Sequence, residues 1–332
     1  MSSKMHTLIL LLVLTISSSF TVKASSSDDA GIAIYWGQNN GDGTLSSTCD
    51  TGNYKIVLLA FLNVFGSGRP PSWNFAGHCG DWSPCTKLEP EITYCQQKGI
   101  KVLLSLGGAI GPYSLSSPND AKEVSDYLYA NFLSGRLGPL GRVTLDGIDF
   151  DIEGGTNLYW DDLARNLDNI RQQNRYFYLS AAPQCFLPDY YLDKAIRTGL
   201  FDYIFVQFYN NPPCQFDSAR SDATLLLRSW HDWTSLVLPN NTVFLGLPAS
   251  PSAAPSGGYI TPDELITKVL PFIKDTPNYG GVMLWDRFND VTNDYSNRIK
   301  KYVQKSALRF VTQVSEAIAE SVSAALNAVL QN

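Results

Sequence analysis

The chain has 332 residues, 44% of them hydrophobic and 12% aromatic, which is enough apolar material for a large core. Its formal net charge of −6, with no run of Lys or Arg, excludes nucleic acid and an anionic membrane surface as partners. An uncharged or neutral partner fits that balance better.

In chain order, the sequence opens with MSSKMHTLILLLVLTISSSFTVKA. Lys4 supplies a positive start, Leu8 to Ile16 an apolar run, and Val22-Lys23-Ala24 a small-residue cleavage pattern. The run is well short of the ~20 residues that span a bilayer. Residues 1–24 therefore read as a signal peptide cleaved after Ala24. Short β-rich runs and helical stretches then alternate. The expected strands are Gly31–Trp36, Lys55–Asn63, Ile100–Leu106, Leu145–Glu153, Tyr176–Ala182, Tyr203–Tyr209, Val243–Pro248 and Gly281–Trp285. The expected helices are Asp120–Leu133, Tyr159–Arg171, Pro188–Arg197, Asp222–Trp233 and Pro262–Lys274. Thr261-Pro262-Asp263-Glu264 reads as a capping box with proline at the first helical position.

Parallel strands alternating with helices, several of them apolar on both faces, predict an α/β fold, a (β/α)8 TIM barrel, over residues 25–305. An open doubly wound sheet is the second choice, but its glycine-rich nucleotide fingerprint is missing. The run GQNNGDG after the first strand reads as a plain loop. Beyond the barrel, Ser306–Asn332 carries Val311, Val314, Ile318, Val322, Leu326 and Val329 at spacings of three or four, an amphipathic helical tail.

Six cysteines (Cys49, Cys79, Cys85, Cys95, Cys185 and Cys214) form no Cys-x-x-Cys pair. With a secretory start, disulfides are the default, although spacing alone leaves their pairing open. Metal-ligand spacing is absent, so no metal and no cofactor is expected. Asn240-Asn241-Thr242 is a glycosylation sequon that should place Asn240 on a loop.

The most informative run is LDGIDFDIEGG, Leu145 to Gly155. Side chains alternate along a strand, so Asp149, Asp151 and Glu153 share one face while Ile148, Phe150 and Ile152 share the other. In a barrel the acids would face inward. Carboxylates spaced roughly 6.6 Å apart raise at least one pKa and keep a proton available. Glu153 comes last, at the strand end where such barrels place their active face, and is the natural general acid. A calcium loop is the weaker reading, because Phe150 and Ile152 are apolar and Trp160 stands where an EF-hand has Glu. A structural acidic cluster satisfied by buried donors remains as good a reading on spacing alone.

A resemblance separates these readings. DGIDFDIE fits the Asp-x-x-Asp-x-Asp-x-Glu signature of family 18 chitinases at Asp146, Asp149, Asp151 and Glu153, and SLGG at Ser105–Gly108 matches the family's second motif. GIAIYWGQN, AAPQC, FDYIFVQFYNNPPC and YGGVMLWDRFND resemble the plant class III (hevamine-like) subgroup, so the match runs from Gly31 to about Val303. The resemblance implies an endochitinase acting on β-1,4-linked N-acetylglucosamine polymers and oligosaccharides by a retaining, substrate-assisted route. In it Glu153 is the acid, Asp151 orients the acetamido group, Asp149 supports Asp151, and Tyr209 bonds the acetamido carbonyl. Trp285 would floor the reacting subsite, with Gln38, Asn63 and Gln207 lining the cleft. Trp160, Trp230 and Trp233, on expected helices, read as core.

The resemblance also implies the disulfides Cys49–Cys95, Cys79–Cys85 and Cys185–Cys214, and cis peptides at Ala60-Phe61 and Trp285-Asp286. A monomer on the secretory route, extracellular or vacuolar, with a role in plant defence, completes the expectation. The tail from Ser306 departs from the family pattern. The alternative function is a catalytically silent relative: a lectin, an inhibitor or a seed storage protein.

Overall fold

A computed structural model describes residues 30–80 and 84–305. The expected signal peptide and the expected helical tail Ser306–Asn332 lie outside the described residues.

The strands are β1 (Gly31–Trp36), β2 (Ile56–Val64), β3 (Ser72–Trp73), β4 (Lys101–Gly108), β5 (Gly147–Ile152), β6 (Tyr178–Ala181), β7 (Tyr203–Gln207), β8 (Thr242–Pro248) and β9 (Tyr279–Trp285). All but β3 pair in parallel, in the order β1-β9-β8-β7-β6-β5-β4-β2, and β1 also pairs with β2. That last pairing closes the sheet, so the fold is the TIM barrel and not the open sheet. A parallel closed sheet buries both strand faces, which is why runs such as GIAIYW and GIDFDI are wholly buried.

The two faces carry different cores. Ile148, Phe150 and Ile152 join the layer between barrel and helices, together with Trp160, Trp230 and Trp233. Ala33, Tyr35, Leu58, Ala60, Leu103, Phe205, Phe244 and Met283 fill the barrel interior. Asp149, in register with Ser105 on β4 and Ser180 on β6, faces this interior.

Some expected elements differ. The expected helix Pro188–Arg197 is helical only over Asp193–Ile196. Asp189 takes the backbone N–H groups of Gln184, Tyr191 and Leu192 onto its carboxylate, which fixes a tied loop where the helix would have begun. The expected helix Pro262–Lys274 starts with the Thr261–Glu264 capping box but widens to a π-turn over Leu265–Val269. Pro271 has no N–H to give and its ring crowds the preceding turn. Helices at Leu45–Asp50, Leu88–Gln97, Arg287–Asn293 and Tyr295–Ile299 were not expected, nor was β3, which pairs antiparallel with the end of β2. Leu88–Gln97 has no side-chain cap, so only Glu89 and Glu91 in its first turn mark its start.

All three implied disulfides are present: Cys49–Cys95, Cys79–Cys85 and Cys185–Cys214. Asn240 is exposed on the turn before β8.

The barrel seam depends on Gly281, on β9 against Gly31 of β1. Its φ is +129°, and a Cβ there would lie 1.9 Å from the Gly31 carbonyl oxygen. Backbone cannot yield as a flexible side chain can. Gly281→Ala should therefore destabilise by about 3 kcal/mol or more, through strain and overpacking together. Thermal unfolding checks this: an unchanged midpoint would show that the seam tolerates the methyl group.

Candidate active site

β5 carries its acids from the barrel interior up to the C-terminal mouth. Asp149 is fully buried, and its carboxylate accepts O–H donors from Tyr35 at 2.9 Å, Ser105 at 2.6 Å and Ser180 at 2.6 Å. Burial raises its pKa, and those three hydrogen bonds oppose the rise. Three hydroxyls thus stand in for water around that carboxyl.

Asp151, one pleat higher, is 3% exposed and accepts from Gln207 Nε2 at 3.0 Å. Burial drives its pKa well above the usual carboxylate range, and the neighbouring Glu153 and Asp149 charges push the same way. Glu153, one residue past the strand, is raised too, chiefly by burial. The two carboxyls influence one another, so they take up and release protons as a pair.

A tyrosine from the loop after β4 fixes Glu153. Tyr113 Oη donates to the Gly108 carbonyl at 2.6 Å and accepts the Glu153 N–H at 3.0 Å. The clamp joins the ends of β4 and β5 through one buried hydroxyl. Tyr113→Phe should leave both backbone groups without that partner and lower stability by about 1–2 kcal/mol. It should also cut turnover several-fold as Glu153 loosens. A melt and a turnover assay check it: wild-type values in both would mean that the clamp is dispensable.

Above these acids lies a cavity of about 290 Å³. Glu153, Tyr209, Trp285, Gln38, Asn63 and Gln207 all line it. Asp151 and Asp149 lie beneath, so the structure gathers every expected substrate-site residue into one place. Tyr209, two residues beyond β7, is buried, and burial together with Glu153, Asp151 and Asp286 lifts its pKa well above the phenol value. It remains an O–H donor throughout the neutral range. Trp285 is half-buried, with Phe61 stacked on it at 5.9 Å and Tyr35 edge-on at 5.5 Å. The Ala60–Phe61 and Trp285–Asp286 peptides are both cis, as the resemblance implied.

Gln38 and Gln207 line the cavity in a particular way. Gln38 Nε2 donates to the backbone carbonyls of Ala60 at 2.8 Å and Asn74 at 2.9 Å. Gln207 Nε2 donates to Asp151 and, at 2.9 Å, to the Ala182 carbonyl. Both amide groups are thereby oriented by the protein. Asn63 likewise donates to the Ile110 carbonyl at 3.2 Å.

Other wall residues were not anticipated: Phe61, Asn74, Ile110, Gln184 and Asn210. Gln184 had a usable signal, lying inside AAPQC just past a strand. Asn74 and Ile110 sit on loops with none. Tyr35, Ser180 and Tyr113, which set the acids' charge and position, were also missed.

No Lys or Arg lines the cavity. A carboxyl at its wall whose pKa burial raises, a phenol that stays protonated, an aromatic floor and a ring of neutral amides suit a neutral, hydroxyl-rich substrate cleaved through a cationic transition state. No described group of His, Cys, Asp or Glu has the arrangement to hold a metal ion.

Comparison with known proteins agrees with this geometry. Residues 31–257 match the glycosyl hydrolases family 18. The chain is 55% identical over 278 residues to an acidic endochitinase of Cicer arietinum, covering 83% of this chain and 92% of the relative. Among solved structures it resembles the ICChI chitinase of Ipomoea carnea, with TM-score 0.77 and 51% identity over 82% of this chain and all (100%) of the other. It also resembles a xylanase and α-amylase inhibitor protein of Scadoxus multiflorus, with TM-score 0.76 and 42% identity, covering 81% and 97%.

Proposed function

The chain belongs to glycosyl hydrolase family 18, as a plant class III chitinase, and from that membership we propose that it is an endochitinase working by a retaining, substrate-assisted mechanism. The observation that carries the mechanism is the ascent of Asp149, Asp151 and Glu153 to a cavity floored by Trp285 and flanked by Tyr209.

The reacting N-acetylglucosamine lies on Trp285, beneath the reach of Glu153. Glu153 gives its proton to the glycosidic oxygen, and the C1–O bond breaks with its electron pair leaving on that oxygen. The sugar's own acetamido carbonyl oxygen attacks C1 and closes an oxazolinium ring, which replaces the enzyme nucleophile of the two-carboxylate scheme. Asp151 faces the acetamido N–H and offsets the ring's positive charge, while Tyr209 donates its O–H to the carbonyl oxygen and aims it at C1. Glu153, now a carboxylate, takes a proton from water as that water attacks C1, and the ring's C1–O bond breaks with its electron pair returning to the acetamido oxygen. The product keeps the β configuration. Asp149, held by three hydroxyls, supplies a fixed negative potential beneath Asp151.

The test is hydrolysis of a chitin hexamer with the anomer of the first products recorded. β-anomeric products support the mechanism, and α-anomeric products would overturn it. The likeness to a tamarind chitinase-like lectin motivates a second reading, a protein that binds sugar and does not cut it. Hexamer binding without any hydrolysis would establish that reading instead.

The leader sequence and three disulfides support a secretory destination, extracellular or vacuolar. No described helix is long and apolar enough to cross a membrane.

A further inference from the structure

Tyr209 is 6% exposed and lines the cavity, yet among the described residues its Oη has no hydrogen-bond partner. A hydroxyl kept free for a ligand cannot also aim its own ring. The aim has to come from the backbone that carries it, and there the structure is tied closely.

The chain turns sharply just past Tyr209. Asn210 takes φ +57°, a left-handed conformation that Asn tolerates better than most residues. Its N–H donates to the Gly257 carbonyl at 2.9 Å, and its Oδ1 accepts the Ser256 N–H at 2.9 Å. Asn211 follows. Its N–H donates to Gln215 Oε1 at 2.7 Å, and its carbonyl accepts the Cys214 N–H at 3.0 Å. Gln215 Nε2 runs on to the Ser256 carbonyl at 3.2 Å, while Cys214 is disulfide-bonded to Cys185. The loops after β6, β7 and β8 are thus laced together around one tyrosine. Gly258 shows how tightly: its φ is +96°, and a Cβ there would lie 2.6 Å from Tyr209 Cα.

Within this lacing Asn211 has a place of its own. Its Nδ2 donates to the Tyr209 carbonyl at 2.8 Å and also to Oε1 of the cavity residue Gln184. Among the described residues no other side chain bonds the Tyr209 backbone. One planar amide, held by Gln184 on the neighbouring loop, therefore fixes the peptide plane that follows Tyr209. Asn211 is itself absent from the cavity wall, so it meets the substrate only through its neighbours.

We propose that Asn211 is a positioning residue for Tyr209, bracing the tyrosine against Gln184 so that its phenol is aimed before substrate arrives. The inference rests on the endochitinase reading, which gives Tyr209 its task, and adds to it a residue that acts through Tyr209. A donor that must meet the acetamido carbonyl at hydrogen-bond distance gains from being set beforehand, since small misplacements cost turnover steeply.

Asn211→Ala should lower kcat on the chitin hexamer by about 10-fold or more, with KM changed by about twofold at most. Asn211→Asp keeps the side chain's size and can still meet Gln184 through a turned amide, but it cannot donate to the Tyr209 carbonyl. It should lose as much. A purely structural role would add its loss to any other, so the double variant is the sharper reading. With the hydroxyl already removed by Tyr209→Phe, adding Asn211→Ala should cost no further turnover. Wild-type kcat in both Asn211 variants, or a loss that multiplies fully with that of Tyr209→Phe, would overturn the assignment. If the wild-type protein proves silent on the hexamer, the endochitinase reading fails separately. The ring resonance of Tyr209 in tyrosine-labelled protein, identified by its loss in Tyr209→Phe, then decides. Broadening of that signal in Asn211→Asp keeps the brace, and a signal as sharp as in wild type removes it.

Discussion

Glu153→Gln should abolish most hydrolysis of the chitin hexamer, by about 10²–10⁴-fold in kcat, while hexamer affinity stays close to wild type. Gln matches the shape of Glu and keeps a backbone N–H for the Tyr113 clamp. It has no proton to give the glycosidic oxygen and cannot later take one from water. The loss should therefore fall on kcat and not on KM. The native profile should also have an alkaline limb. Burial raises Glu153, and burial with neighbouring charge raises Asp151, so a proton stays on the pair above the ordinary carboxylate range and departs as pH rises. Activity should fall through that loss. A turnover assay across pH with both proteins checks this, and full activity in the variant would remove Glu153 as the acid.

Asp151→Asn should separate activity from stability. Turnover should drop about 10²–10³-fold, because a neutral amide cannot offset the oxazolinium charge. Stability should move the other way. The folded-state pKa of Asp151 lies above its unfolded value, so its contribution is fully present below the unfolded pKa. It is lost as pH rises through the folded pKa. At neutral pH the aspartate burdens the fold, while asparagine still offers Gln207 an acceptor oxygen. The variant should melt higher than wild type near pH 7, and the gap should close toward pH 4. Melting curves at both pH values test the sign: a variant that melts lower at neutral pH would refute the linkage.

Much of this was legible in the residues because its causes are local. The β5 acids could be assigned to one face since strand side chains alternate, and Ile148, Phe150 and Ile152 do enter the other layer. Tyr209 and Trp285 could be placed at strand ends for the same reason. The remainder depends on distant partners. No pattern in the sequence announces that Tyr113 will reach across to Gly108 and Glu153, or that Tyr35 will bond Asp149 from 114 positions away. The Pro188–Arg197 stretch misleads because its apolar spacing suits a helix, yet a single buried carboxylate, Asp189, recruits the N–H groups that a helix start would have left open. The disulfide pairing came from family likeness, since spacing alone left it undecided.

The orientation of the two cavity glutamines has a chemical result for the substrate. With Nε2 of both Gln38 and Gln207 committed to the protein, each amide can offer the cleft only its oxygen. These walls listen for hydrogens and supply none. On the proposed function, a sugar would be recognised at these points by the O–H and N–H groups it donates, and a chain whose hydroxyls are capped by acyl or alkyl groups would find no partner there, however well its outline fits.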